Sequence, residues 1–96
     1  MTPLVITAHF TAKPGQQSRL RDELNRLIAP TRAESGCILY DLHESVDDPA
    51  QFLFYEIWQS QAHLDAHFQT PHLQRLLKIA PEIAEGEIHV KKWGRL

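Results

Sequence analysis

A single cysteine, Cys37, occurs in the 96 residues. It can neither build a disulfide framework nor complete a CxxC metal knot. Glycine is scarce as well, at four residues, and none belongs to a phosphate loop or a GxGxxG fingerprint. That excludes NAD or FAD binding by a Rossmann-type loop. HExxH and GxSxG are absent too, which removes the common zinc-protease and serine-hydrolase signatures. No apolar run approaches the roughly 18 residues a membrane span needs, so no membrane role is expected. Basic residues hold no excess, with ten Lys and Arg against twelve Asp and Glu. A chain of net charge −2 has no cluster with which to neutralise phosphates, which argues against nucleic acid as a partner. The first residues lack the basic region, apolar stretch and small-residue cleavage site of a secretory signal, so a reduced, cytoplasmic setting is expected.

What remains is an ordinary globular composition, 43% hydrophobic and 23% charged. Residues 1–96 fit one domain around one core. A chain this short buries only about 60–65% of its unfolded surface, so a partner surface would add stability it otherwise lacks.

Alternation and helical spacing give the order of elements. Leu4 to Ala12 reads as a strand with Leu4, Ile6, Ala8 and Phe10 on one face. Lys13-Pro14-Gly15 is a turn. Gln16 to Glu34 reads as a helix with a Leu20, Leu24, Leu27, Ile28 stripe, and Pro30 predicts a kink or early end. Gly36 supplies the helix stop. Cys37 to Ser45 is a second strand, with Ile38, Tyr40 and Leu42 opposite Cys37, Leu39, Asp41 and His43. After a turn at residues 46–50, Phe52 to Trp58 is the strongest strand, with aromatic residues on both faces. Ser60 caps a short helix, and Thr70-Pro71 restarts it as a second one. Its stripe is Leu73, Leu76, Leu77, Ala80 and Ile83. Glu87 to Trp93 alternates as a last strand. The sum is βαββαβ with a split second helix: an α+β, ferredoxin-like fold with helices on one face of a four-stranded antiparallel sheet. All four strands carry apolar residues on both sides, however. A lone chain would leave a wide apolar face in water, and a second copy packed sheet to sheet would cover it. A homodimer is expected.

Histidine stands out among the candidate chemistry, with six copies. His63 and His67 share a helix face, four residues apart. They are open to three readings: helix-surface residues, a metal pair lacking a clear third ligand, or general acid–base groups titrating near neutrality. His67 and His72 flank the break before Pro71, where free backbone N–H groups and a pocket are expected. They are the favoured catalytic candidates, and no metal is expected. Trp58, Tyr40 and Phe54 are either a core cluster or the walls of a flat slot for a ring-shaped ligand. Glu56, inside the apolar FLFYEIW run, must be paired, protonated or at a wet interface. A salt bridge across the dimer, to Arg32 or a strand lysine, is the expected solution. Cys37 reads as a small buried residue. His9 and His43 are open between polar contacts inside a barrel and a solvated edge.

The segments RAESGCILY (32–40), Asp48-Pro49, FLFYEIWQS (52–60), Ala62 and HFQTPH (67–72) together resemble the antibiotic biosynthesis monooxygenase superfamily across essentially the whole chain. The Lys-Pro-Gly turn also fits. The resemblance implies a dimeric α+β barrel in which two ferredoxin-like sheets pack together and each subunit keeps a pocket between sheet and helices. It implies a cofactor-independent monooxygenase that oxidises a quinol- or anthrone-like aromatic substrate with O2. A base removes a proton from the electron-rich ring, and the anion reduces O2 directly. Tyr40, Phe54, Trp58, His63 and Phe68 would then contact substrate, with His67 or His72 as base. An isomerase acting on a small hydroxyketone and a non-catalytic dimer holding aromatic metabolites are the alternatives. An apolar slot favours the monooxygenase, and a small pocket of several histidines and an arginine favours the isomerase. The haem-degrading branch fits less well, since the first strand carries no asparagine and residues 73–84 carry no histidine.

Overall fold

The structure is a computed structural model, and it describes residues 3–96. Its elements run β1 (Leu4–Thr11), α1 (Gln17–Asn25), α2 (Ile28–Arg32), β2 (Cys37–Glu44), β3 (Gln51–Trp58), α3 (Gln61–Phe68), α4 (Pro71–Ile83) and β4 (His89–Trp93). The strands form one antiparallel sheet in the order β2-β3-β1-β4, the ferredoxin-like arrangement. Alternation sets its faces. Ile6, Ala8 and Phe10 of β1 and Phe52, Phe54, Glu56 and Trp58 of β3 are buried beneath the helices. The intervening residues face the other way and stay partly exposed. Leu20, Leu24 and Leu27, with Leu73, Leu76 and Ile83, supply the helical half of the core.

Both connecting helices are broken, the second where its caps were expected to divide it and the first a turn earlier than the kink or early end expected at Pro30. Pro30 accounts for the first break. Its ring would clash with the carbonyl four residues earlier, that of Arg26, and α1 ends at Asn25. The chain tightens there, with Leu27 N–H donating to Leu24 O at 3.1 Å. Pro30 then sits in the first turn of α2, where a missing N–H carries no penalty. The second break is built by caps. Ser60 Oγ accepts from the His63 N–H at the start of α3, and Thr70 Oγ1 accepts from the Leu73 N–H at the start of α4. Pro71 occupies the first position of α4, where Thr70 also donates to His67 O at 2.7 Å.

The expected faces of β2 hold only past its beginning. Cys37 pairs with Trp58 and Leu39 with Ile57, so Ile38 is an extra residue in a β-bulge. The bulge shifts the alternation by one. Cys37 therefore joins the core side with Tyr40, while Ile38 turns out and is 52% exposed. Gly36 precedes the bulge with φ +86°, and a Cβ there would strike the His63 ring. Only glycine lets the end of α2 approach the start of α3 this closely. That approach carries Glu34 under the α3–α4 break. Among the described residues, no helix is long and apolar enough to cross a membrane.

Candidate active site

Three side chains from three segments meet at the α3–α4 break. Glu34 Oε2 accepts from His67 Nδ1 at 2.8 Å and from His72 Nε2 at 2.7 Å. His67 is buried at 3% exposure, and the Glu34 and His72 side chains are mostly covered. One carboxylate oxygen accepting from both rings fixes which nitrogens carry protons. In neutral His67 the proton lies on Nδ1, and Nε2 is left as a free acceptor. Burial lowers the His67 pKa from its ordinary value, and the Glu34 bond and charge offset only part of that shift. The result is an imidazole that stays neutral at neutral pH with one nitrogen available as a base. The rings of His67 and His72 lie 6.2 Å apart between centroids.

Of the three, His67 lines an apolar cavity of about 200 Å³ between sheet and helices. Ile6, Ala8, Tyr40 and Phe54 form its sheet wall, and Leu27, Phe68, Leu73 and Leu76 its helix wall. Tyr40 stacks on Phe54 at 4.4 Å between centroids, giving that wall a flat aromatic surface. Two ionisable groups besides the Tyr40 phenol interrupt the apolar lining: His67 and Glu56. Burial pushes the Tyr40 phenol far up, so it stays protonated.

Glu56 is 4% exposed and takes the Trp58 Nε1–H on Oε1 at 2.9 Å. The expected bridge runs across a dimer to Arg32 or a strand lysine; within the chain, Glu56 forms no ion pair among the described residues. Opposite Tyr40 and Ile6 in the sheet, Glu56 faces the helices and the cavity and lies away from the outer surface of the sheet. Arg32 bonds Tyr40 O and Asp41 Oδ1 instead, at 3.2 and 3.0 Å. With no cation as partner among the described residues, burial dominates and raises the Glu56 pKa to about 7. The indole bond opposes this shift, and Glu34 adds to it.

The remaining candidates separate clearly. Tyr40, Phe54 and Phe68 line the cavity with His67. Trp58 does not line it. It stands fully buried behind the wall, its indole 4.7 Å from the His67 ring, and holds His67 and Glu56 in place. His63, expected to contact substrate, is also off the cavity and bonds Ser60 Oγ through Nδ1 at 2.7 Å. His72 touches Glu34 but does not line the cavity, so it supports the base. Cys37 is half-buried, and burial raises its pKa to about 11, which suits packing and not nucleophilic attack. His9 is half-buried and lies 3.3 Å from Thr7 Oγ1, while His43 is exposed.

Glu34 was missing from the expected site. It also supplies the third group that the histidine pair lacked. Glu34, His67 and His72 present polar atoms within 4.8 Å of one another, close enough to share a cation. In the structure they satisfy one another by hydrogen bonds.

A ferredoxin-like domain with a histidine–carboxylate pair on an apolar cavity defines the class. The antibiotic biosynthesis monooxygenase family model matches residues 3–78, and the chain belongs to that family. It is 36% identical to PA3566 of Pseudomonas aeruginosa, whose crystal structure superposes with a TM-score of 0.96 over 100% of this chain and 96% of that one. Rv0793 of Mycobacterium tuberculosis is 41% identical over 71 residues, 74% of this chain and 69% of its own. Its structure superposes with a TM-score of 0.92. "Probable quinol monooxygenase YgiN" of Escherichia coli is 30% identical, covering 88% of each chain. The chain spans 60% of the length of a Synechocystis relative, sll1783, to which it is 32% identical.

Proposed function

We propose that this protein is a monooxygenase that oxidises a quinol-like ring with O2, without metal or flavin, and that His67 is its base. The observation that carries the reading is the Glu34–His67 pair, which leaves an unprotonated Nε2 on a histidine that lines an apolar cavity. A cavity of about 150 Å³ accommodates benzene, so one of about 200 Å³ suits a substituted or compact bicyclic ring better than three fused rings. The lining holds one histidine and no arginine, which favours the monooxygenase over the hydroxyketone isomerase. The name of the Escherichia coli relative points to a quinol as well.

In this mechanism His67 Nε2 takes the phenolic proton, and Glu34 steadies the imidazolium that forms. The electron-rich anion passes electrons to O2, and a bond forms between a ring carbon and one oxygen. Protonation of the distal oxygen gives a hydroperoxide. The proton on the same ring carbon then leaves as the O–O bond breaks. One oxygen stays on the ring as a carbonyl, and the other departs as water. Quinol plus O2 thus becomes hydroxyquinone plus water, with the substrate as sole reductant. The apolar walls exclude water that would quench the anion.

Oxygen uptake with a menadiol-type quinol tests the reading. The protein should consume oxygen well above the uncatalysed rate, form hydroxyquinone and retain that rate after dialysis against EDTA. Uptake at the uncatalysed rate with several quinols contradicts the reading. Loss of activity on chelation, restored by a divalent ion, would give Glu34, His67 and His72 to a metal instead.

The working unit in this proposal is a cytoplasmic homodimer. Val5, Leu39, Leu53, Tyr55, Ile57 and Trp93 share the sheet face that no helix covers. Tyr55 and Trp93 are 37% and 49% exposed. A second copy laid on this face hides a surface that a monomer would leave in water. Sedimentation at micromolar concentration should show a species of twice the 11.1 kDa chain mass. A stable single-chain species contradicts it.

A further inference from the structure

The Glu56 carboxyl divides its two oxygens between different tasks. Oε1 accepts from Trp58 Nε1 at 2.9 Å, while Oε2 has no protein partner among the described residues and the side chain lines the cavity. When the carboxyl is protonated, the indole bond keeps Oε1 as the acceptor, so the proton sits on Oε2 of a side chain that lines the cavity. His67 offers an acceptor to the same space, because its Nδ1 proton is committed to Glu34. The cavity therefore pairs one donor with one acceptor in an apolar setting, where an unmatched polar group is costly.

We infer that Glu56 is a specificity-determining residue: its Oε2–H holds a keto oxygen, so the site selects planar rings that bear a carbonyl. The inference deepens the ring-substrate reading of the cavity and rests on it. The keto oxygen belongs to a quinol's keto tautomer, to the quinone product or to a related aryl ketone. Ionised Glu56 would instead set a carboxylate against that oxygen, and the preference would reverse. Of the groups facing Glu56, His67 alone gains a cavity-facing donor in acid, and Glu56→Leu retains that histidine as the control. Trp58 lies on its own strand, Tyr40 and Cys37 come from β2, Glu34 from the turn between α2 and β2, and His67 from α3. Burial holds the Tyr40 phenol and the Cys37 thiol protonated well above neutrality. Ile6, opposite on β1, is apolar.

Binding of 1-tetralone and of its hydrocarbon counterpart tetralin, followed by NMR titration, tests this without any turnover. Wild type should prefer the ketone by roughly 10-fold at pH 5.5, the worth of one hydrogen bond, and lose or reverse that preference at pH 8.5. Glu56→Gln keeps a donor that does not titrate, so its preference should persist at both pH values. Glu56→Leu should show none. A wild-type ratio unchanged by pH, or a preference surviving in Glu56→Leu, overturns the role of Glu56 and leaves the ring cavity standing. Failure of both probes to bind overturns the ring cavity and the inference with it.

Discussion

His67→Gln should lower quinol turnover roughly 100- to 10,000-fold, the range expected when a general base is removed. The fold should survive, because an amide can still bond Glu34. Glu34→Gln is the more informative variant. Its amide can donate to His67 Nδ1 and drive the proton to Nε2, the tautomer that cannot act as a base toward the cavity. It should therefore lose most of the activity with His67 still present. His72→Gln should lose far less, since His72 does not line the cavity. Groups that act as a unit are not additive. The Glu34→Gln, His67→Gln double variant should be no slower than His67→Gln alone. Wild-type activity should hold from neutrality down past pH 6.5, because burial lowers the pKa of His67, and should fall only in more acid solution.

Stability carries the second large effect. Burial raises Glu56 from an ordinary 4.5 to about 7. A carboxyl with a raised folded pKa favours the folded state while protonated. Its contribution is complete below about pH 4.5 and is lost as pH rises through about 7. The whole shift corresponds to about 3 kcal/mol, or on the order of 10 °C in melting temperature for a domain of this size. Glu56→Gln removes the titration. Between pH 5 and 8.5, wild type should lose melting temperature relative to Glu56→Gln by about that amount. Parallel curves would show that Glu56 is ionised in the fold, with a partner or water supporting its charge.

Most of the fold was legible because its signals are local. Alternation placed the faces of β1 and β3, and the Ser60 and Thr70-Pro71 caps marked the split between α3 and α4. The departures came from non-local causes. Pro30 announced a break but not its place, since the clash falls on the carbonyl of Arg26, a turn earlier. The β2 bulge left no trace in the alternation of Cys37 to Leu42. Only pairing with β3 shows that Ile38 is the extra residue and that Cys37 turns inward.

The candidate site was half legible. His67 and the aromatic wall followed from the broken helix and the apolar strand. Glu34 did not, because it lies 33 and 38 residues from its partners. Its one local hint was a carboxylate two residues before a glycine that ends a helix. Glu56 was visible as an anomaly, yet the expected ion pair assumed the wrong side of the sheet. Counting alternation from Phe52 puts Glu56 with Phe54 and Trp58, and the helices cover that face. His63 shared a helix face with His67 but was diverted by the Ser60 cap, which takes both its backbone N–H and its ring.

Long-range nitrogen–proton NMR of the imidazoles at pH 7 bears most directly on whether Glu34 readies His67 as a base. The His67 signals should be those of a neutral ring protonated on Nδ1, changing to the Nε2-protonated pattern in Glu34→Gln. An imidazolium, or an Nε2-protonated ring, in the wild-type protein would contradict the mechanism at its first step.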